Sequence, residues 1–218
     1  LSKARKTKHL EQVWSIKYLE EGYKTSKSAP KERSHFLLPS TQYTWRETRG
    51  EKEWSFGHKQ QVSARAALGL FVSSTNLLQG EWTGKWIWPM LSEQTRAIFK
   101  VNAATTVTGD KNEIPLSLRY FAGGDENLRG FAYHSLGPTE KNPEGKDVVV
   151  GGRHKLVTTI ELERRLMNEL SGAVFFDAGN AMNKWSTKLR KSAGTGVRWH
   201  SPIGAFRVDL AKPLGGKN

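Results

Sequence analysis

The sequence predicts an all-β fold: the wall of an antiparallel transmembrane β-barrel, with a long loop reaching into its lumen. Three observations predict it. Apolar and polar residues alternate with a period of two in stretch after stretch. Short and long connections roughly take turns between those stretches, which is the habit of bacterial barrels. Tryptophans (Trp14, Trp86, Trp88, Trp199) stand toward the ends of the stretches, where an aromatic belt meets lipid headgroups.

The elements follow in order. Val13–Glu21 and Leu37–Thr48 alternate loosely. In Gln61–Val72 one face reads Val62, Ala64, Ala66, Leu68, Leu70, Val72. Leu78–Trp88 sets Leu78, Trp82, Trp86 and Trp88 against Gln79, Glu81, Thr83 and Lys85. Thr95–Val107 sets Ala97, Phe99 and Val101 against Arg96, Lys100 and Asn102. After a long gap, Leu156–Leu166 sets Ile160 and Leu162 against Glu161 and Glu163. Leu170–Ala181 sets Val174 and Phe176 against Phe175 and Asp177. Ala193–His200 sets Val197 and Trp199 against Arg198, and Phe206–Leu214 sets Val208 and Leu210 against Arg207 and Asp209. That makes about nine strands, each about 9–11 residues, the length that crosses an outer membrane at a tilt. Ser73–Asn76, Pro89–Glu93, Met167–Gly172 and Ser201–Gly204 read as short connections. Tyr23–Ser34, Met182–Lys191 and Thr108–Gly152 read as long ones.

Composition narrows the function. The 218 residues hold 34 Lys+Arg against 21 Asp+Glu, a formal charge of +13, and no cysteine. Disulfide scaffolds, thiolate metal sites and cysteine nucleophiles are excluded. The mean hydropathy is −0.59, which a barrel tolerates because only every second residue meets lipid. The chain begins Leu1-Ser2-Lys3 with no apolar leader, and predicts a piece of a longer protein. The basic run Lys3–Lys8 reads as solvated charge.

Thr108–Gly152 is too long for an idle connection. Gly123 and Gly124 allow backbone that other residues avoid, and serve at least as a turn. Leu128-Arg129-Gly130-Phe131 offers two apolar anchors around a planar, permanently charged fork. A buried fork needs carboxylates. By alternation Asp177 and Glu161 fall on the polar face and supply them, so a loop arginine clamped to acids acts as a plug or a latch. Read alone, Asp177 is equally a solvated turn acid, and Glu163 a wet lumen residue. Tyr120, Phe121 and Tyr133 read as loop packing.

These residues carry a resemblance. Phe121-Ala-Gly-Gly-Asp125 with Leu128-Arg-Gly-Phe131 resembles the loop-6 signature of the outer-membrane assembly factors of the BamA/TamA superfamily. Phe175-Phe-Asp-Ala-Gly179 resembles that superfamily's strand motif. Gly196–Leu214, with its Ser201-Pro202-Ile203-Gly204 turn, resembles its penultimate, periplasmic hairpin. The wording is most like the TamA branch. Leu128 stands where Val or Ile is usual, and Ala205 where Pro is common; neither touches the arginine.

The resemblance implies a bacterial-surface-antigen type barrel domain over 1–218, with loop 6 at about 108–152 between strands 11 and 12. The chain would supply strands 7–15 of a 16-stranded barrel, without the POTRA domains and the last strand. It implies a location in the outer membrane of a Gram-negative bacterium, and a role in inserting and secreting autotransporter-like clients with no enzymatic step and no cofactor or metal. Implied partners are nascent outer-membrane proteins, a TamB-like periplasm-spanning protein, and outer-membrane lipid and lipopolysaccharide; nucleic acid is not expected.

Rival readings stay open at this point. A soluble β-sandwich or lipocalin-like barrel also alternates. A soluble basic β-protein binding nucleic acid fits the charge, and a two-partner-secretion pore shares the arginine-glycine loop. A triad of His134, Ser135 and Asp177 is conceivable, but no G-x-S-x-G elbow, H-E-x-x-H pair or phosphate-binding loop is present in the sequence.

Overall fold

The computed structural model describes residues 1–23, 32–49, 56–69, 73, 75–90, 94–108, 114–142, 144–201 and 203–215. Ten strands form one antiparallel sheet in chain order: β1 (Ser2–Lys6), β2 (Leu10–Tyr23), β3 (Glu32–Arg49), β4 (Phe56–Ala67), β5 (Leu77–Pro89), β6 (Thr95–Thr108), β9 (His154–Arg165), β10 (Leu170–Met182), β11 (Arg190–Ser201) and β12 (Gly204–Leu214). β7 (Thr139–Lys141) and β8 (Asp147–Val149) make a small hairpin inside the long loop. The sheet is open, with β1 and β12 at its edges.

Alternation sorts the two faces. Trp14, Ile16, Trp82, Trp88, Ile160, Leu162, Val174, Phe176, Val197, Trp199, Val208 and Leu210 all stand exposed on one side. Apolar area turned outward in this way suits lipid, where only the hydrogen-bonded backbone ladder is compatible with the bilayer. Trp199 and Phe206 stack at 5.5 Å beside the β11–β12 turn, and Trp86 lies 5.6 Å from Phe99 nearer the β5–β6 turn. The opposite face holds the buried polar residues and the loop.

Two expectations about strands are corrected. The sheet has ten strands, because Ser2–Lys6 of the basic run pairs with β2, from Ser2↔Ser15 to Lys6↔Glu11. All five of its residues are exposed in this sheet. β4 spans Phe56–Ala67, earlier than 61–72. The faces keep their parity, but pairing with β3 and β5 fixes the ends, from Gly57↔Ile87 to Ala67↔Leu77. Its connection to β5 is therefore 68–76 and lies on the side of the long loops; the Gly69 N–H donates to Asn76 Oδ1 at 2.9 Å there. Residues 70–72, which the alternation assigns to this strand, lie outside the described residues.

The long loop enters over the inner face of β3–β5. Ile114 and Leu118 pack with Phe36, Leu38, Ala67 and Leu77. Gln79 holds this entry by donating to Leu118 O at 2.8 Å and to Thr106 Oγ1 at 2.6 Å. The loop then crosses to the β9–β10 wall. Ala122 and Leu128 pack there on Val157 and Ala181, with Phe131 and Leu136 alongside.

Candidate functional site

The loop reaches its site through two left-handed glycines. Gly123 has φ +100° and Gly124 φ +114°, values that L side chains adopt only under strain. The Gly124 N–H donates to Phe131 O at 3.0 Å, and Asn127 closes a turn back to Gly124 O. Leu128 is then buried at 0% exposure. Gly130, at φ +86°, lies against β12, where an added Cβ would meet Ala211 and Lys212 at 3.4 Å.

This pins Arg129 against the wall. Its backbone N–H and Nε both donate to Asp177 Oδ2, at 3.1 and 2.9 Å, and Nη2 donates to Oδ1 at 2.9 Å. Nη1 donates to Glu161 Oε2 at 2.8 Å and to Asp209 Oδ2 at 3.2 Å. The guanidinium carbon sits 3.3 Å from the Phe175 ring centroid, a close cation–π stack. Arg198 completes the cradle with Glu161 Oε1 at 3.1 Å and Asp209 Oδ1 at 2.5 Å. Two guanidiniums thus face three carboxylates in a site where Asp177 is fully buried. Burial works against the Arg129 charge, but hydrogen bonds to Asp177 and Glu161 outweigh it and hold its pKa above the ordinary arginine value. The arrangement clamps a loop; it offers no free acid or base.

Sequence reasoning did not find Arg198, Asp209, Gly194 or Gly196. A Cβ at Gly194 would come 2.5 Å from Phe175 Cζ, and one at Gly196 would come 2.6 Å from Arg198 Nη1. Both glycines leave room for the stack and the cradle. Parity already put Arg198 and Asp209 on the polar face with Asp177; the missing signal was register, which pairs Gly196 with Asp209 and brings them to the cradle.

The other expected residues are placed as follows. At Gly179 an added Cβ would meet the β9 backbone, 2.6 Å from Leu156 O. Ser201 Oγ donates to Gly204 O at 2.7 Å across the β11–β12 turn, away from the arginine; Pro202 lies outside the described residues. Glu163 is corrected from a wet residue to a buried one. It is 2% exposed, accepts Arg96 Nη2 at 2.8 Å and lies 3.1 Å from His200 Nε2. Arg96 of the adjacent β6 and His200 of β11, one strand beyond β10, close over this wall acid from both sides. His134 stacks on Phe121 and Tyr133, and Ser135 Oγ donates to Ala132 O. With Asp177 held by Arg129, the three members of the conceivable triad are each engaged elsewhere.

Comparison with known proteins gives a consistent picture. Residues 14–218 match the Omp85 superfamily domain. The chain is 28% identical over 122 residues to the outer membrane protein assembly factor BamA of Nitratidesulfovibrio vulgaris, covering 53% of this chain and 15% of that protein. It is 33% identical over 99 residues to BamA of Neorickettsia risticii, covering 40% and 13%. The crystal structure of BamA from Haemophilus ducreyi lacking POTRA domains 1–3 superposes with a TM-score of 0.75 at 21% identity, over 95% of this chain and 48% of that one. The chain thus spans under a fifth of the curated relatives and about half of the solved one. These likenesses support the BamA/TamA superfamily and do not extend to its TamA branch.

Proposed function

This chain belongs to the Omp85 superfamily, and from that premise we propose that it forms part of the barrel wall of an outer-membrane factor that helps other β-barrel proteins fold and insert. The work is done by binding and positioning, with no covalent step. The observation that carries the reading is the Arg129 cradle. A buried, multiply hydrogen-bonded arginine fixes the loop to β9–β12 on the face opposite the apolar one. A wall stiffened on one side leaves any strain of opening to be taken up elsewhere in the barrel, where exposed strand backbone can pair with an incoming strand.

With the loop between family strands 11 and 12, the ten strands run from the sixth to the fifteenth, one more than the alternation counts. Autotransporter-like clients, a TamB-like partner and contact with lipopolysaccharide are finer parts of the same proposal; autotransporter surface display in cells depleted of the protein tests the first.

The main test is reconstitution. The intact protein in liposomes should speed the insertion of urea-unfolded outer-membrane barrels, read by heat-modifiable gel mobility and protease protection. The Asp177→Ala variant, still inserted in the same liposomes, should be slower. Insertion no faster than into protein-free liposomes overturns the proposal.

A further inference from the structure

A second feature of the inner face has nothing to do with the arginine cradle. Register places Lys59 of β4 directly opposite Lys85 of β5, and Lys85 directly opposite Lys100 of β6. Like charges on directly opposed residues destabilise a sheet. Here three stand in one row, and the row continues through Thr159 to Asp177, whose oxygens already serve Arg129.

The three lysines line one cavity of about 510 Å³ between the wall and the loop. Lys155 and Arg207 join them, so five cations face it against the single carboxylate of Glu126. That carboxylate is taken: Arg207 Nη2 donates to Glu126 at 2.7 Å. Lys155 is held 3.7 Å from Glu81, which also accepts a hydrogen bond from Asn102 at 2.7 Å. Among the described residues, Lys59, Lys85 and Lys100 form no ion pair with a carboxylate within 4 Å; Glu161, already held by Arg129 and Arg198, attracts Lys85 and Lys100 only from farther off. Thr83, Asn102, Asn127 and Thr159 add neutral polar groups around the same space.

A row of ammonium groups repelling one another around a polar, open cavity is stabilised by a compact multivalent anion. Three ammoniums spread across three strands suit oxygens carried on more than one centre. We propose that this cavity is a binding site for multivalent phosphate, held by Lys59, Lys85 and Lys100. The phosphate comes either from a soluble polyphosphate or from the phosphorylated headgroup of a lipid. Bound there, it bridges β4, β5 and β6 on the side of the loop away from the Arg129 cradle.

The test uses the intact protein in detergent micelles. Tripolyphosphate is titrated while the unfolding temperature is read by heat-modifiable mobility, with sodium chloride at matched ionic strength as the screening control. A second arm uses nanodiscs of zwitterionic lipid with and without lipopolysaccharide. The expected result is a saturable rise above the chloride control. Charge-assisted hydrogen bonds predict that Lys85→Gln shifts half-saturation about 10- to 100-fold upward, and that the K59Q/K85Q/K100Q variant loses the response. A response confined to the tripolyphosphate arm identifies a soluble ligand, and one confined to the lipopolysaccharide arm a lipid headgroup. No saturable rise in either arm, or the same rise in the lysine variants, overturns the proposal. Neither outcome bears on client insertion, which the liposome assay reads separately.

Discussion

Replacing Arg129 by alanine removes a cation from a site with three carboxylates; Arg198 still pairs with Glu161 and Asp209, and Asp177 loses its ion-pair partner among the described residues. Asp177 is fully buried and Glu161 is 4% exposed, so neither can recover its hydration without the loop moving away. Breaking a buried pair from one side costs about 3–5 kcal/mol. At 1.4 kcal/mol per factor of ten, the equilibrium for lifting the loop should move by roughly a hundredfold or more. The readout is amide hydrogen exchange in the intact protein at Ala122 and Gly124, whose N–H groups donate to Leu136 O and Phe131 O inside the loop. Their protection should fall by that factor, while amides of β2 and β3 stay protected. Arg129→Lys should fall between the two, by about 1.5–3 kcal/mol, because an ammonium cannot reproduce the paired contacts to both Asp177 oxygens. Joining Arg129→Ala to Asp177→Asn should cost less than the sum of the two changes, since each leaves the other group unpaired. Unchanged protection of Ala122 and Gly124 in Arg129→Ala would refute the reasoning: the apolar contacts of Leu128 would then hold the loop alone.

Two further substitutions test the surroundings. Gly194→Ala drives a methyl into the space of Phe175 and the β12 backbone, and should cost about 1–3 kcal/mol as overpacking, seen as a lower unfolding temperature on a heat-modifiable gel. Glu163→Gln removes the charge facing Arg96 and His200; as a buried pair broken from one side it should cost about 3–5 kcal/mol, measured the same way, whereas a water-exposed glutamate would give no shift.

Alternation made the faces legible and left the contacts illegible, for one physical reason. A period of two says which side a residue stands on, because successive Cβ atoms point to opposite faces. It says nothing about what lies across from it, because partners are set by register between strands far apart in sequence. Ile160, Val174 and Val208 therefore read correctly as outward, and Asp177 and Glu161 as inward. Asp209, 80 residues from Arg129, carried only its parity. Glu163 read as wet because its partners Arg96 and His200 sit on two other strands. The bounds of β4 misread because Leu68, Leu70 and Val72 continue the same parity in the sequence, and parity carries no mark of where pairing with β3 and β5 begins. The strand Ser2–Lys6 was missed because Ser-Lys-Ala-Arg-Lys carries no alternation of large apolar residues for a period of two to reveal.

The same register argument predicts an uneven wall. Among the described residues, the ion pairs with both side chains under one-fifth exposed are those of Arg129, Arg198, Arg96 and His200 with Asp177, Glu161, Asp209 and Glu163. Apart from Arg129 and the β6 residue Arg96, every member belongs to β9–β12. On the other side of the cavity, β4, β5 and the middle of β6 bear opposed lysines, and among the described residues their hydrogen bonds to the loop stand at the level of Arg65 and Gln79. Both halves have complete backbone ladders, so ladder hydrogen bonds cannot distinguish them. If inner-face side chains set local stability, amides at the centre of β10 should exchange more slowly than those at the centre of β5. Raising salt should narrow the gap by protecting β5, because screening weakens repulsion between solvated lysines more than attraction inside a buried cradle. Equal exchange in the two strands at low salt would mean that the ladder alone governs the wall and that neither the cradle nor the lysine row has a mechanical effect.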